Sequence, residues 1–97
     1  MAKIKWSKDS IEDLKEVCRF IAMDSPHYAS LLNDRIFEMA EHLELFPEMG
    51  RQVPEADDPN IRELIYKNYR IVYQVKEQYL EIITVIHGSR LLKLNSL

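Results

Sequence analysis

Glycine is almost missing from this chain: two residues in 97, beside four prolines and a single cysteine. Two glycines cannot build a glycine-rich loop that cradles phosphate, so nucleotide-binding folds of that kind are excluded. One cysteine cannot close an internal disulfide. Cys18 falls among apolar residues and reads as a small core side chain. The three histidines, His27, His42 and His87, are scattered, with no His or Cys partner at the three- or four-residue interval of a zinc site. No metal or cofactor is therefore expected. Long apolar runs are missing too; none approaches the ~20 residues needed to span a bilayer. Met1–Trp6 is short and polar, unlike a secretion signal, so a cytoplasmic protein with no membrane partner is expected.

What remains is ordinary for a globular chain, 46% apolar and 30% charged. One domain over residues 1–97 is expected, burying roughly 60–65% of its unfolded surface. The charge is not evenly spread. Residues 61–97 carry six Lys or Arg against three Glu, whereas residues 1–60 carry seven against thirteen Asp or Glu. The balances of +3 and −6 sum to the net charge of −3. An acidic front and a basic back suggest a face that meets an anionic partner. Cations that merely guard a sheet edge would give the same pattern.

Lys3–Trp6 is a short candidate strand, and Ser7 is placed to cap a helix beginning at Lys8. Between Lys8 and Met23 the apolar residues Ile11, Leu14, Val17, Cys18 and Ile21 recur at helical spacing. Asp24-Ser25-Pro26 ends that helix and starts another, with Ser25 as cap and Pro26 in the first helical position. The second helix shows a stripe of Tyr28, Leu32, Ile36, Met39, Leu43 and Phe46 that is expected to face the core. Two amphipathic helices joined this closely form an antiparallel hairpin.

Pro47 to Pro59 reads as a long loop, with the acidic run Glu55-Ala56-Asp57-Asp58 inside it. Three strands come after it: Ile61–Tyr66, Tyr69–Val75 and Tyr79–His87, rich in Ile, Val, Tyr and Thr. Lys67-Asn68 between the first two is a two-residue hairpin turn. The order is β-α-α-β-β-β. The expected fold is α+β, a helical hairpin on one face of a small antiparallel sheet whose other face or edge is free for recognition. The turn pairs Tyr66 with Tyr69, Leu64 with Ile71 and Arg62 with Tyr73. That register puts Arg70 opposite Ile65, on the other face from Arg62, unless a bulge intervenes.

Arg62, Arg70, His87 and Arg90 are the polar side chains of this strand region suited to an anionic target. For Arg70 the competing role is to hold the acidic loop Glu55–Asp58 or a helix carboxylate. For His87 it is to pack at the end of its strand, and for Arg51 to serve the loop after Gly50.

Trp6, the Asp13-Leu14 pair, the Phe46-Pro47-x-x-Gly50-Arg51 junction and three strand motifs together resemble the ParE/RelE superfamily. The strand motifs are Ile61-Arg62-Glu63-Leu64, Tyr69-Arg70-Ile71-Val72-Tyr73-Gln74-Val75 and Val85-Ile86-His87-Gly88-Ser89-Arg90. The resemblance runs from Lys3 to about Leu91. It implies a toxin of a type II toxin–antitoxin operon, partnered by a cognate antitoxin, with Arg51, Arg62, Tyr66 and Tyr73 as candidate contacts for target or antitoxin. RelE-like members are ribosome-dependent ribonucleases that cut messenger RNA; ParE-like members poison DNA gyrase. For a nuclease the resemblance implies a pair of lysines on the Ile61–Tyr66 strand and a tyrosine in the C-terminal tail. Here Ile61 and Glu63 stand at the lysine positions and Leu94 near the tyrosine. Those departures favour a ParE-like inhibitor over an enzyme. The alternative is an endoribonuclease working with the ribosome and mRNA through His87, Arg70 and Arg90, in which an imidazole moves protons and arginines neutralise the phosphorane.

Overall fold

Ser7 and Ser25 set the helical hairpin. In the computed structural model, which describes residues 3–90, the Ser7 hydroxyl accepts from Ser10 N–H at 3.0 Å and opens α1, Lys8–Ala22. Ser25 accepts from Tyr28 N–H at 3.1 Å and opens α2, Pro26–His42, with Pro26 in its first turn. Both caps satisfy helix N–H groups that have no partner inside the helix.

Among the described residues, five strands form one sheet. They are β1 (Lys3–Trp6), β2 (Arg51–Gln52), β3 (Ile61–Tyr66), β4 (Tyr69–Val75) and β5 (Tyr79–His87), in the spatial order β1-β5-β4-β3-β2. The β3–β4 pairing has the expected register: Tyr66 with Tyr69, Leu64 with Ile71, Arg62 with Tyr73 and Ile65 with Arg70. Lys67 takes the positive φ of the turn, 54°. Two features depart from expectation. The sheet is mixed, because β1 runs parallel to β5, Lys3 opposite Tyr79 and Trp6 opposite Ile82. The loop after Pro47 also supplies β2, an antiparallel edge pairing Arg51 with Glu63 and Gln52 with Arg62.

The helices cover one face of the sheet. Leu14, Leu32, Ile36 and Leu43 are buried against Leu64, Ile71, Tyr73, Leu80 and Ile82, and Trp6 packs on Phe37 with ring centroids 4.7 Å apart. Phe46, expected in this stripe, is 61% exposed, and Tyr28 is also exposed. The physical reason for Phe46 is that α2 stops at His42, so Phe46 lies beyond the helical phase that the stripe assumed.

The other face is not open. Val53 is buried with Ile61 and Val72, and Ala56 and Ile83 pack against them. The loop therefore lies across the half of the sheet that the sequence left free for recognition. Ile83 falls on this face by simple alternation from Ile82, and β5 carries an irregularity beside it: Val72 pairs with Thr84 and Tyr73 with Ile82, leaving Ile83 unpaired in the ladder. Such a bulge re-aims neighbouring side chains. Thr84 Oγ1 donates to the carboxylate of Asp13, tying β5 to α1.

Candidate functional site

Arg70 makes four hydrogen bonds through its side chain, to two carboxylates and a backbone carbonyl. It sits near the start of β4, the central strand, with its face covered by the loop, and only 5% of it is exposed. Nε donates to Glu63 Oε1 at 2.6 Å. Nη1 and Nη2 reach the two oxygens of Glu55 at 2.8 and 2.7 Å, a two-pronged pair. Nη1 also donates to the carbonyl of Arg90 at 3.1 Å. The Glu55 and Glu63 hydrogen bonds push the guanidinium pKa above its ordinary value despite burial, so Arg70 stays charged. On the edge strand, Arg51 donates from Nε to Glu63 Oε2 at 2.7 Å, its own side chain 62% exposed. The fully buried Glu63 is thus held between two arginines.

Glu63 was the residue whose place sequence reasoning missed. Read at a phosphate-binding position, it opposes substrate; here it is a dry structural anion. The signal was available in the register. With Arg70 opposite Ile65, Glu63 is its diagonal neighbour on the same face, within reach of a long side chain.

His87 ends β5 and is exposed. Its Nδ1 lies 2.7 Å from Ser89 Oγ and accepts from Ser89 N–H at 3.2 Å. The ring sits edge-on to Tyr69, centroids 5.6 Å apart. Two concavities meet at this imidazole. One, about 460 Å³, is lined by Arg51, Ile65, Lys67, Arg70, His87 and Ser89 among others. The other, about 330 Å³, lies toward α1 and includes Asp13, Glu16, Phe20, Tyr69 and Arg90. Gly88 N–H donates to Asn68 carbonyl at 2.6 Å, fixing the β3–β4 turn against the end of β5. Arg51, Arg70, His87 and Arg90 are therefore gathered at one end of the sheet.

Arg62 and Tyr73 are not part of that group. Arg62 lies on the helix side and donates from Nη1 to the carbonyls of Gly50 and Glu48 at 2.8 and 3.4 Å. Tyr73, a candidate for partner contact, is corrected outright: it is fully buried. Its hydroxyl donates to Pro47 carbonyl at 2.8 Å and accepts from Gly50 N–H at 2.9 Å. Both faces of β4 are covered, so alternation along that strand separates two interiors instead of inside from outside. Tyr66 is half-buried at the edge of the core, with Lys67 Nζ 6.0 Å above its ring. Leu94 and the rest of the 91–97 tail lie outside the described residues. Among the described residues no three His, Cys, Asp or Glu side chains are grouped to hold a metal ion. No described helix is long and apolar enough to cross a membrane.

Residues 4–92 match the family model for the ParE toxin of the type II toxin–antitoxin system parDE. The chain belongs to the ParE toxin family. As a ParE-family member it is the toxin of a type II toxin–antitoxin module, which implies a cognate antitoxin. It is similar to Toxin RelE2 of Caulobacter vibrioides, 29% identical over 92 residues, spanning 94% of this chain and all of that one. The ParE-family fold is also that of a chain in the chromosomal ParDE system of P. aeruginosa, with a TM-score of 0.73 at 20% identity, covering 90% of this chain and 96% of that one. A conserved hypothetical protein of Helicobacter pylori shares it with a TM-score of 0.59 at 22% identity, covering 92% and 97%.

Proposed function

We propose that this ParE-family toxin acts by binding and inhibiting an essential target, DNA gyrase, without cleaving RNA, and that its cognate antitoxin neutralises it in the cytoplasm. The observation that carries this reading is the state of Arg70. A ribonuclease needs cations free to meet charge that develops on a phosphorane. The donors of Arg70 are already directed at Glu63, Glu55 and a backbone carbonyl. A phosphate there would have to displace two carboxylates and then be repelled by them. His87 is the group at this site suited to proton transfer near neutral pH, and its bonded neighbour is a serine, not a second acid or base. Inhibition by binding asks for no chemistry and no cofactor.

The competing reading keeps His87, Arg70 and Arg90 as a ribosome-dependent endonuclease site; it is favoured by the exposure of His87 beside Arg51 and Lys67. One pair of assays separates them. The purified toxin is expected to inhibit supercoiling by gyrase and accumulate cleaved gyrase–DNA complexes, and to leave message intact on programmed ribosomes. His87→Ala should inhibit gyrase as wild type does. Efficient cleavage in the ribosomal A site, abolished by His87→Ala in a folded protein, would overturn the proposal.

A further inference from the structure

At the end of the sheet away from His87, beyond the last turn of α2, three large apolar side chains face water within five positions. Leu45, Phe46 and Met49 are 63, 61 and 47% exposed. Single exposed apolar residues are commonplace, but a contiguous group marks a contact surface. Phe46 and Met49, with Pro47, Glu48 and Val75, line an open concavity of about 710 Å³.

The turn that displays them is held firmly from beneath. The Tyr73 hydroxyl bonds Pro47 carbonyl and Gly50 N–H, and Arg62 bonds the carbonyls of Glu48 and Gly50. A side chain displayed on a backbone fixed in this way loses little further freedom when a partner arrives. The charge flanking the patch that is not taken up in ion pairs or backbone contacts is acidic. Glu48 lines the concavity, Glu41 and Glu44 precede Phe46, and Glu77 lies two positions after Val75. The nearby cations are committed elsewhere: Lys76 lies 3.5 Å from Glu81, and Arg62 points into the turn.

We propose that the Leu45–Met49 turn is a docking site for a basic protein segment carrying one bulky apolar anchor. Phe46 and Met49 hold the anchor, and Glu44 and Glu48 face its flanking Lys or Arg. A second copy of this chain fits poorly, because a two-fold contact would set the glutamates against their own images. An acidic segment is disfavoured for the same reason. From Tyr69 to Val75 the sheet extends about 20 Å, so this site is separate from the basic end at His87. The site does not depend on the target being gyrase.

The test uses the purified full chain and two synthetic helical peptides with the same Leu/Trp face, one flanked by Lys and the other by Glu. Fluorescence anisotropy at low salt should show the Lys peptide binding at least tenfold more tightly, the difference narrowing as salt rises. Phe46→Ser with Met49→Ser, and separately Glu44→Gln with Glu48→Gln, should each weaken the Lys peptide tenfold or more at an unchanged urea midpoint. Glu12→Gln with Asp57→Asn, which removes two exposed carboxylates elsewhere, should leave it unchanged. Equal affinity for the two peptides, or equal losses in all variant pairs, overturns the proposal. So does a concentration-dependent dimer in sedimentation that disappears in Phe46→Ser.

Discussion

Glu63 and Arg70 form an ion pair across the β3–β4 ladder, Nε to Oε1 at 2.6 Å, with side chains 0 and 6% exposed. Buried pairs of this kind contribute little over an apolar substitute, yet breaking one leaves a charge stranded. Glu63→Leu or Arg70→Met should each cost about 3–5 kcal/mol in urea unfolding. The double variant Glu63→Leu with Arg70→Met should cost clearly less than the sum. The partners it leaves behind, Arg51 and Glu55, have side chains 62% and 20% exposed and reach water. Simple additivity of the two single changes would show that the pair is not energetically coupled.

Tyr73→Phe removes both the acceptor of Gly50 N–H and the donor to Pro47. The expected loss at neutral pH is about 1–3 kcal/mol. The phenol also gives stability a sign at high pH. Burial raises its pKa above the ordinary 10.0, so the unfolded chain ionises first. The contribution is whole below pH 10 and declines as pH rises beyond it. Tyr69, and Cys18 from its ordinary 9.0, are shifted the same way by burial. Urea midpoints measured from pH 8 to 11 should fall above about pH 9, and more gently in Tyr73→Phe.

A methyl group at Gly50 would meet Glu63 carbonyl oxygen and the Tyr73 hydroxyl, each at 2.6 Å. The first is strand backbone and the second a doubly bonded buried group, so neither yields cheaply. Gly50→Ala should therefore destabilise by roughly 1–3 kcal/mol. An unchanged melting temperature would mean that the turn relaxes freely, against the rigidity assigned to it.

Ser7→Ala should cost roughly 1–2 kcal/mol, at the high end for a helix cap. The same hydroxyl that caps α1 also donates to Ile83 carbonyl at 3.0 Å, so its loss loosens the helix and the bulge of β5 together. Ser7→Asp, which caps but cannot donate, should recover only part of the loss in the same urea titration.

Most of the element order was legible because local chemistry wrote it. Ser7, Ser25 and Pro26 mark the helix starts, and Lys67-Asn68 fixes the β3–β4 register down to Arg62 opposite Tyr73. What escaped depends on partners distant in the chain. Nothing local in Lys3–Trp6 says that it pairs in parallel with β5. Arg51–Gln52 is only two residues long and exposed, too short for any periodicity. At the site, Arg51, Arg70, His87 and Arg90 lie together at one end of the sheet, a placement set by the β3–β4 register and the end of β5. The burial of Glu63 was not legible, because a loop covers the second face of the sheet; Tyr73 is buried on the helix face, where the Pro47–Gly50 turn takes up its hydroxyl.

The parallel pairing of β1 with β5 sets a timetable for biosynthesis. Ser7 and Ile83, bonded beside that pairing, are 76 positions apart. At roughly 5–20 residues per second, β1 waits on the order of 4–15 s after its own synthesis for its strand partner. The helical hairpin waits as well, since Leu80 and Ile82 of its floor lie on the same late strand. A growing chain therefore has no complete sheet, and no covered floor for its helices, until β5 has been made.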